Sequence, residues 1–261
     1  MRSPENPGRS IRRLLLLAIA AGLLLGSAAI ASEESPGEPD SRTGHAGETV
    51  ILLHGLGRGA GSMSVLEEAL SSRGLAVRNL DYPSRESRVE ELLPYVARAV
   101  EACCTDPPAR VHFVTHSLGG ILVRAYILES RPPDLGRVVM LAPPNRGTVL
   151  VDAMRDNPAF QAGAGPAATQ LGTDAGSVPN RLGPVDFELG VIAGDRSWNP
   201  LGSWLIPGED DGTVAVESAR IEGMADFRVV PATHTFIMRH PEAVQEVLHF
   251  LEHGRFRPLP E

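Results

Sequence analysis

Lysine is absent from this chain: every one of its 24 basic residues is an arginine. Without a primary amine on any side chain there is no Schiff-base chemistry, no Ser-Lys dyad and no phosphate-binding P-loop lysine. Cysteine is almost as scarce, and the two that exist, Cys103 and Cys104, are adjacent. Two neighbouring cysteines supply neither a disulfide framework nor a tetrahedral metal cluster, and adjacent helical positions bridge poorly, so they read as small packing residues near a helix end. No His/Cys/Asp group has metal-ligand spacing, and no metal is expected. Aromatics make up 5% of the residues, with two tryptophans, Trp198 and Trp204. The net charge of −8 is spread without a basic patch, which argues against a nucleic-acid partner.

What is present begins with a leader. Arg9, Arg12 and Arg13 precede an uncharged apolar run, Leu14 to Ile30, and Ala29-Ile30-Ala31 fits a small-x-small cleavage site. Residues 1–31 are therefore expected to be a signal peptide or, uncleaved, a membrane anchor, with the protein exported in either case. Their removal takes away four arginines and one glutamate, moving the net charge from −8 to −11. Residues 32–47, rich in Ser, Pro, Gly and Glu, read as a disordered linker. The remainder, 48–261, has the size of one α/β domain.

The most informative stretch is RVHFVTHSLGG, Arg110 to Gly120. An apolar alternating run of strand length ends at a serine, and two glycines follow as a helix pattern starts. This is the layout of a nucleophile elbow, in which a sharp turn pushes the Ser117 hydroxyl out over the end of the strand. The commonest form has glycine two residues before the serine, whereas Thr115 stands there. Upstream, Thr49 to His54 (TVILLH) reads as a second buried strand opening into the glycine-rich loop Gly55 to Gly61. Amides of such a loop can receive the negative charge that develops on a carbonyl oxygen during acyl transfer. Leu56 and Leu118 are the expected oxyanion-hole donors.

A serine needs a base, and the base needs an orienting acid, in the chain order Ser, acid, His. His45 and His54 precede the serine, His112 lies inside the strand, and His116, next to Ser117, is expected to point the other way. His249 and His253 belong to an amphipathic helix, Pro241 to His253, and His240 sits at its start. His234 follows a final strand, Phe227 to Pro231, in a loop free to reach the serine. Three acids are candidates: Asp211, on a turn before Gly212 and a strand-like run Thr213 to Val216; Asp195, directly after the strand Phe187 to Ala193; and Asp210. The turn position favours Asp211, with Asp195 and Asp210 as alternatives.

With these residues in place, the chain resembles the α/β-hydrolase superfamily, and within it lipase-like and esterase-like members with small cores. The matching stretches are VILLHGLGRGAGSM, VHFVTHSLGG, VVMLAPPNRGT, PGEDDGTVAVESAR and ATHTFIMRHP. The resemblance implies a mostly parallel sheet of about six strands with helices on both faces, an acyl-enzyme, and no cofactor. Strand and helix patterns alternate at 49–54, 61–73, 75–81, 87–104, 110–115, 118–130 and 136–141, as a parallel sheet requires. The alternation lapses over 143–186, where a lid-like insertion with short helical patches is expected. The loop Ser197 to Gly208 carries both tryptophans and reads either as an apolar contact surface or as a segment folded onto the core.

The functional expectation is a serine hydrolase acting on a small-molecule or lipid acyl ester. A thioesterase, amidase or acyltransferase would use the same residues, and a non-catalytic binding module would keep only the fold. Membrane association, if it occurs, is expected to run through the N-terminal apolar segment.

Overall fold

The computed structural model describes residues 47–104 and 109–258. The leader and all of the linker except Gly47 lie outside the described residues.

Six strands form one sheet: β1 (Glu48–Leu53), β2 (Ala76–Leu80), β3 (Arg110–His116), β4 (Leu135–Leu141), β5 (Leu189–Gly194) and β6 (Asp226–Val230). Their spatial order is β2-β1-β3-β4-β5-β6, and every pairing is parallel. Parallel strands need crossovers, so the principal helices α1 (Ser64–Ser71), α2 (Val89–Cys104), α3 (Leu118–Ser130) and α10 (Pro241–His253) cover the two faces.

The side-chain period of two assigns each helix to a face. On β1, Ile51 and Leu53 join Val111 and Phe113 of β3 against α2 and α3, whereas Val50, Leu52 and Val114 turn to the opposite face against Leu66 and Leu70 of α1 and Val247 and Phe250 of α10. Both faces of the central strands are therefore buried, which is why Val50 to Leu53 of β1 reads as a continuous apolar run. Each such side chain contributes about 1.5–3 kcal/mol on burial.

Residues 143–186 hold four short helices, α4 (Val149–Met154), α5 (Pro158–Ala164), α6 (Pro166–Thr169) and α7 (Val178–Arg181). They are tied to the core by polar staples as well as apolar packing. Arg124 of α3 is buried and donates to the carbonyls of Asn145, Pro179 and Gly183, at 3.1, 3.0 and 2.7 Å, and to the side chain of Asn145. Burial pushes this guanidinium down to about 10. Gln170 accepts the Val89 amide and donates to Glu90, both at the start of α2.

Two local expectations are corrected. Cys103 and Cys104 are joined by a disulfide across adjacent Cα atoms 3.7 Å apart, rather than being two independent packing residues. They are the last two residues of α2. The run after Asp211 is not a strand: Asp210 and Ala215 form one isolated antiparallel bridge, and the short helix α9 (Val216–Ala219) follows at once. Between β5 and α9 lies α8 (Pro200–Leu205).

Candidate active site

In parallel α/β sheets the carboxyl ends of the strands and the loops that leave them form the crevice where ligands bind. Ser117 leaves β3 there, His234 follows β6, and Asp211 sits in the long connection between β5 and β6.

Ser117 adopts φ 52 and ψ −120, a conformation that few non-glycine residues hold. The strain is held from both sides: the Ser117 amide donates to the Leu141 carbonyl at the end of β4 (2.9 Å), and its carbonyl accepts from Gly120 (2.9 Å). Gly119 has to be glycine. A Cβ there would lie 2.7 Å from the Leu53 carbonyl oxygen and 2.9 Å from that of His54, inside van der Waals contact with the neighbouring strand end. Thr115, at the position where glycine is commonest, is fully buried beside Gly120.

The Ser117 hydroxyl lies 3.0 Å from Nε2 of His234, and Nδ1 of His234 lies 2.7 Å from Oδ2 of Asp211. The Asp211 side chain is 1% exposed, and its other oxygen accepts the amides of Thr213 (3.0 Å) and Val214 (2.7 Å). A second link joins acid to base through the backbone, the His234 amide donating to the Asp211 carbonyl at 2.9 Å. Serine, imidazole and carboxylate thus form one continuous hydrogen-bonded row.

The other two acids are engaged elsewhere. Asp210 turns its Oδ1 to the Ser203 hydroxyl and the Gly212 amide, both at 2.7 Å, and so braces the turn that presents its neighbour. Asp195 pairs with the adjacent Arg196 at 3.2 Å. His240 caps α10 and takes no part in the row.

Leu118 is the first residue of α3, where a helix leaves its amide without an intrahelical acceptor. Leu56 lies in a tight turn closed by the Arg58 amide donating to the Gly55 carbonyl (3.2 Å). The register of β1 against β3 sets Leu53 opposite Thr115, which brings this turn alongside the elbow. Residues at the end of β2 brace it: the Gly57 amide donates to the Ser84 hydroxyl (2.9 Å), and the Tyr82 hydroxyl donates to the His54 carbonyl while its ring stacks on the His54 imidazole at 4.1 Å. Neither Tyr82 nor Ser84 is picked out by the sequence reading; their only signal is a place at the end of the strand beside β1.

His116 corrects an expectation. Instead of pointing away, its ring lies 5.0 Å from that of His234, and its Nε2 is 2.9 Å from the His234 carbonyl. The tryptophan-bearing segment divides between the two expectations: Ile206 is buried against Leu150, Met154 and Ala215, whereas Trp198 is 79% exposed and Trp204 70%, and Trp198 packs at 5.6 Å against Phe236, two residues beyond His234. An exposed aromatic rim therefore borders the row. Among the described residues no group of three or more His, Cys, Asp or Glu could hold a metal ion, and no helix is long and apolar enough to cross a membrane.

The fold has counterparts among solved structures. The lipase BlEst2 of Bacillus licheniformis in its mature form superposes with a TM-score of 0.66 at 18% identity, over 83% of this chain and 95% of that one. A metagenomic carboxyl esterase gives 0.56 at 19% identity over 90% and 85% of the two chains. Lipase B of Aspergillus fumigatus gives 0.61 at 17% over 83% of this chain, which spans only 56% of that protein. At such identities the likeness concerns the fold. No curated protein sequence matches the chain. A family model described as the alpha/beta hydrolase family, however, matches residues 50–247, which include most of β1, the elbow, Asp211 and His234. The chain is a member of the alpha/beta hydrolase family.

Proposed function

We propose that the protein is a serine hydrolase that cleaves carboxylic esters through an acyl-enzyme, with Ser117 as nucleophile, His234 as general base and acid, and Asp211 as the orienting carboxylate. The observation that carries this reading is the row Ser117 Oγ, His234 Nε2, His234 Nδ1, Asp211 Oδ2, with steps of 3.0 and 2.7 Å, mounted on a strained elbow.

Ser117 Oγ attacks the ester carbonyl while its proton passes to Nε2 of His234. The imidazolium so formed is stabilised by Asp211, and the carbonyl oxygen, now negative, is received by the amides of Leu118 and Leu56. Collapse expels the alcohol, which takes its proton from Nε2, and leaves an acyl group on Ser117. Water repeats the sequence and releases the acid. The exposed pair Trp198 and Phe236, the latter two residues beyond His234, favours an apolar acyl chain over a peptide or a highly charged acyl group. The structural counterparts named as lipases and a carboxyl esterase agree with this substrate class. The arginines before the apolar run Leu14 to Ile30 support export of the protein.

The test is labelling by a fluorophosphonate probe together with turnover of a short-chain soluble ester. Ser117→Ala should abolish labelling and lower turnover by about 10⁴- to 10⁶-fold. A Ser117→Ala protein with near wild-type turnover would remove the reading. Parallel assays on thioester and amide substrates identify the leaving group preferred.

A further inference from the structure

His116 is 2% exposed, adjacent to the serine, and unused by the steps above. A carbonyl oxygen can only accept, so the 2.9 Å contact with the His234 carbonyl requires the proton on Nε2 of His116. Its Nδ1 is then a bare acceptor, and that atom is buried without a hydrogen-bond partner. Space for this edge of the ring is made by Gly55, where a Cβ would lie 2.6 Å from Nδ1 and 3.0 Å from Cε1. The charged or titratable groups facing the ring, His234, Arg58 and His54, are all basic. Burial first, and the neighbouring His234 second, hold the imidazole well below its ordinary range, so it stays neutral.

We propose, resting on the serine-hydrolase reading, that His116 is a positioning residue that donates its Nε2 proton to the carbonyl of His234 and so fixes the loop carrying the base against the residue next to the nucleophile. The base is then held at three points: its amide by the Asp211 carbonyl, its Nδ1 by the Asp211 carboxylate, and its carbonyl by His116. Because Ser117 follows His116 directly, any movement of the elbow carries the base loop with it, which keeps the Oγ to Nε2 separation constant. The neutral ring also leaves room for the positive charge that His234 acquires during attack; a second imidazolium 5.0 Å away would oppose it.

The test compares His116→Phe, which keeps a ring and loses the donor, with His116→Gln, whose amide N–H can reach the same carbonyl. The Phe variant should lose about 10- to 100-fold in kcat and in the rate of fluorophosphonate labelling, with KM within about threefold, as expected for a base displaced by a fraction of an ångström to an ångström. The Gln variant should recover most of that loss. Equal kcat in Phe and wild type, or Gln no better than Phe, would overturn the assignment. A measurement on the unmodified protein covers the case in which the variants fold poorly: imidazole ¹⁵N shifts should show His116 as the neutral Nε2–H tautomer from pH 8 to pH 5.5. An Nδ1–H tautomer, or titration near the ordinary value of about 6.5, would also overturn it. Absence of both labelling and ester turnover in the wild type would instead defeat the serine-hydrolase reading, whatever the tautomer shows.

Discussion

Replacing Asp211 by asparagine changes one atom and inverts one hydrogen bond. Oδ1 of Asp211 already accepts the amides of Thr213 and Val214, so the asparagine oxygen is captured there and its NH₂ must take the place of Oδ2, 2.7 Å from Nδ1 of His234. A donor in that place demands an unprotonated Nδ1. The single imidazole proton then moves to Nε2, the atom that in the proposed mechanism accepts the Ser117 proton. The resting enzyme is thereby placed in the wrong tautomer, a change that typically costs about 10⁴ in turnover, or on the order of 5 kcal/mol at about 1.36 kcal/mol per tenfold. Stability should hardly move, because the backbone bonds to the side-chain oxygen survive. The assay is kcat on a short soluble ester alongside thermal melting, with Asp210→Asn and Asp195→Asn as controls. The Asp210 carboxylate bonds to Ser203 and Gly212 and that of Asp195 pairs with Arg196, so each control should stay within about tenfold of wild type. An Asp211→Asn protein within tenfold of wild type, or an Asp195→Asn protein that loses 10⁴, would refute the assignment of the acid.

Arg124→Met strands the carbonyls of Asn145, Pro179 and Gly183, and at about 1–3 kcal/mol per unsatisfied buried acceptor, partly offset by the relief of a desolvated cation, we expect a loss of about 3–5 kcal/mol and, at about 2–4 °C per kcal/mol, a melting temperature lower by roughly 6–20 °C, with protease cleavage appearing first within 143–186. Unchanged melting would show that the insertion is not held by this side chain. Burial lowers the folded-state pKa of His54, His112 and His116 below 6.5, so the unfolded chain binds more protons as pH falls beneath that value. The stability contributed by their neutral forms is fully present above about pH 7.5 and declines by up to about 1.4 kcal/mol per pH unit for each histidine as pH drops toward the folded-state values. Melting curves from pH 8 to pH 5.5 should slope accordingly and flatten partly in His116→Gln; a level profile would contradict it.

Strand and helix boundaries along β1 to β4 were legible because they follow from period and burial, which are local: TVILLH and VHFVT are apolar on both faces, as only a strand covered on both sides can be. The elbow was legible for the same reason, since Ser117 and Gly119 mark a turn whose geometry is confined to a few residues. The choice among Asp195, Asp210 and Asp211 was not. All three sit in loops after β5 with similar local sequence, and only the placement of the Thr213 and Val214 amides and of the His234 backbone directs one carboxylate to the imidazole. Strand alternation predicts the wrong direction for His116 because it governs a side chain only while the strand continues, and here the strand ends at that residue. Its ring, like those of Tyr82 and Trp198, takes its place from chain segments distant in sequence. The amino-acid order by itself therefore determined the sheet, its covering helices and the strained serine; which polar groups meet at the strand ends was decided by the packing of loops against one another, a long-range property that no local pattern records.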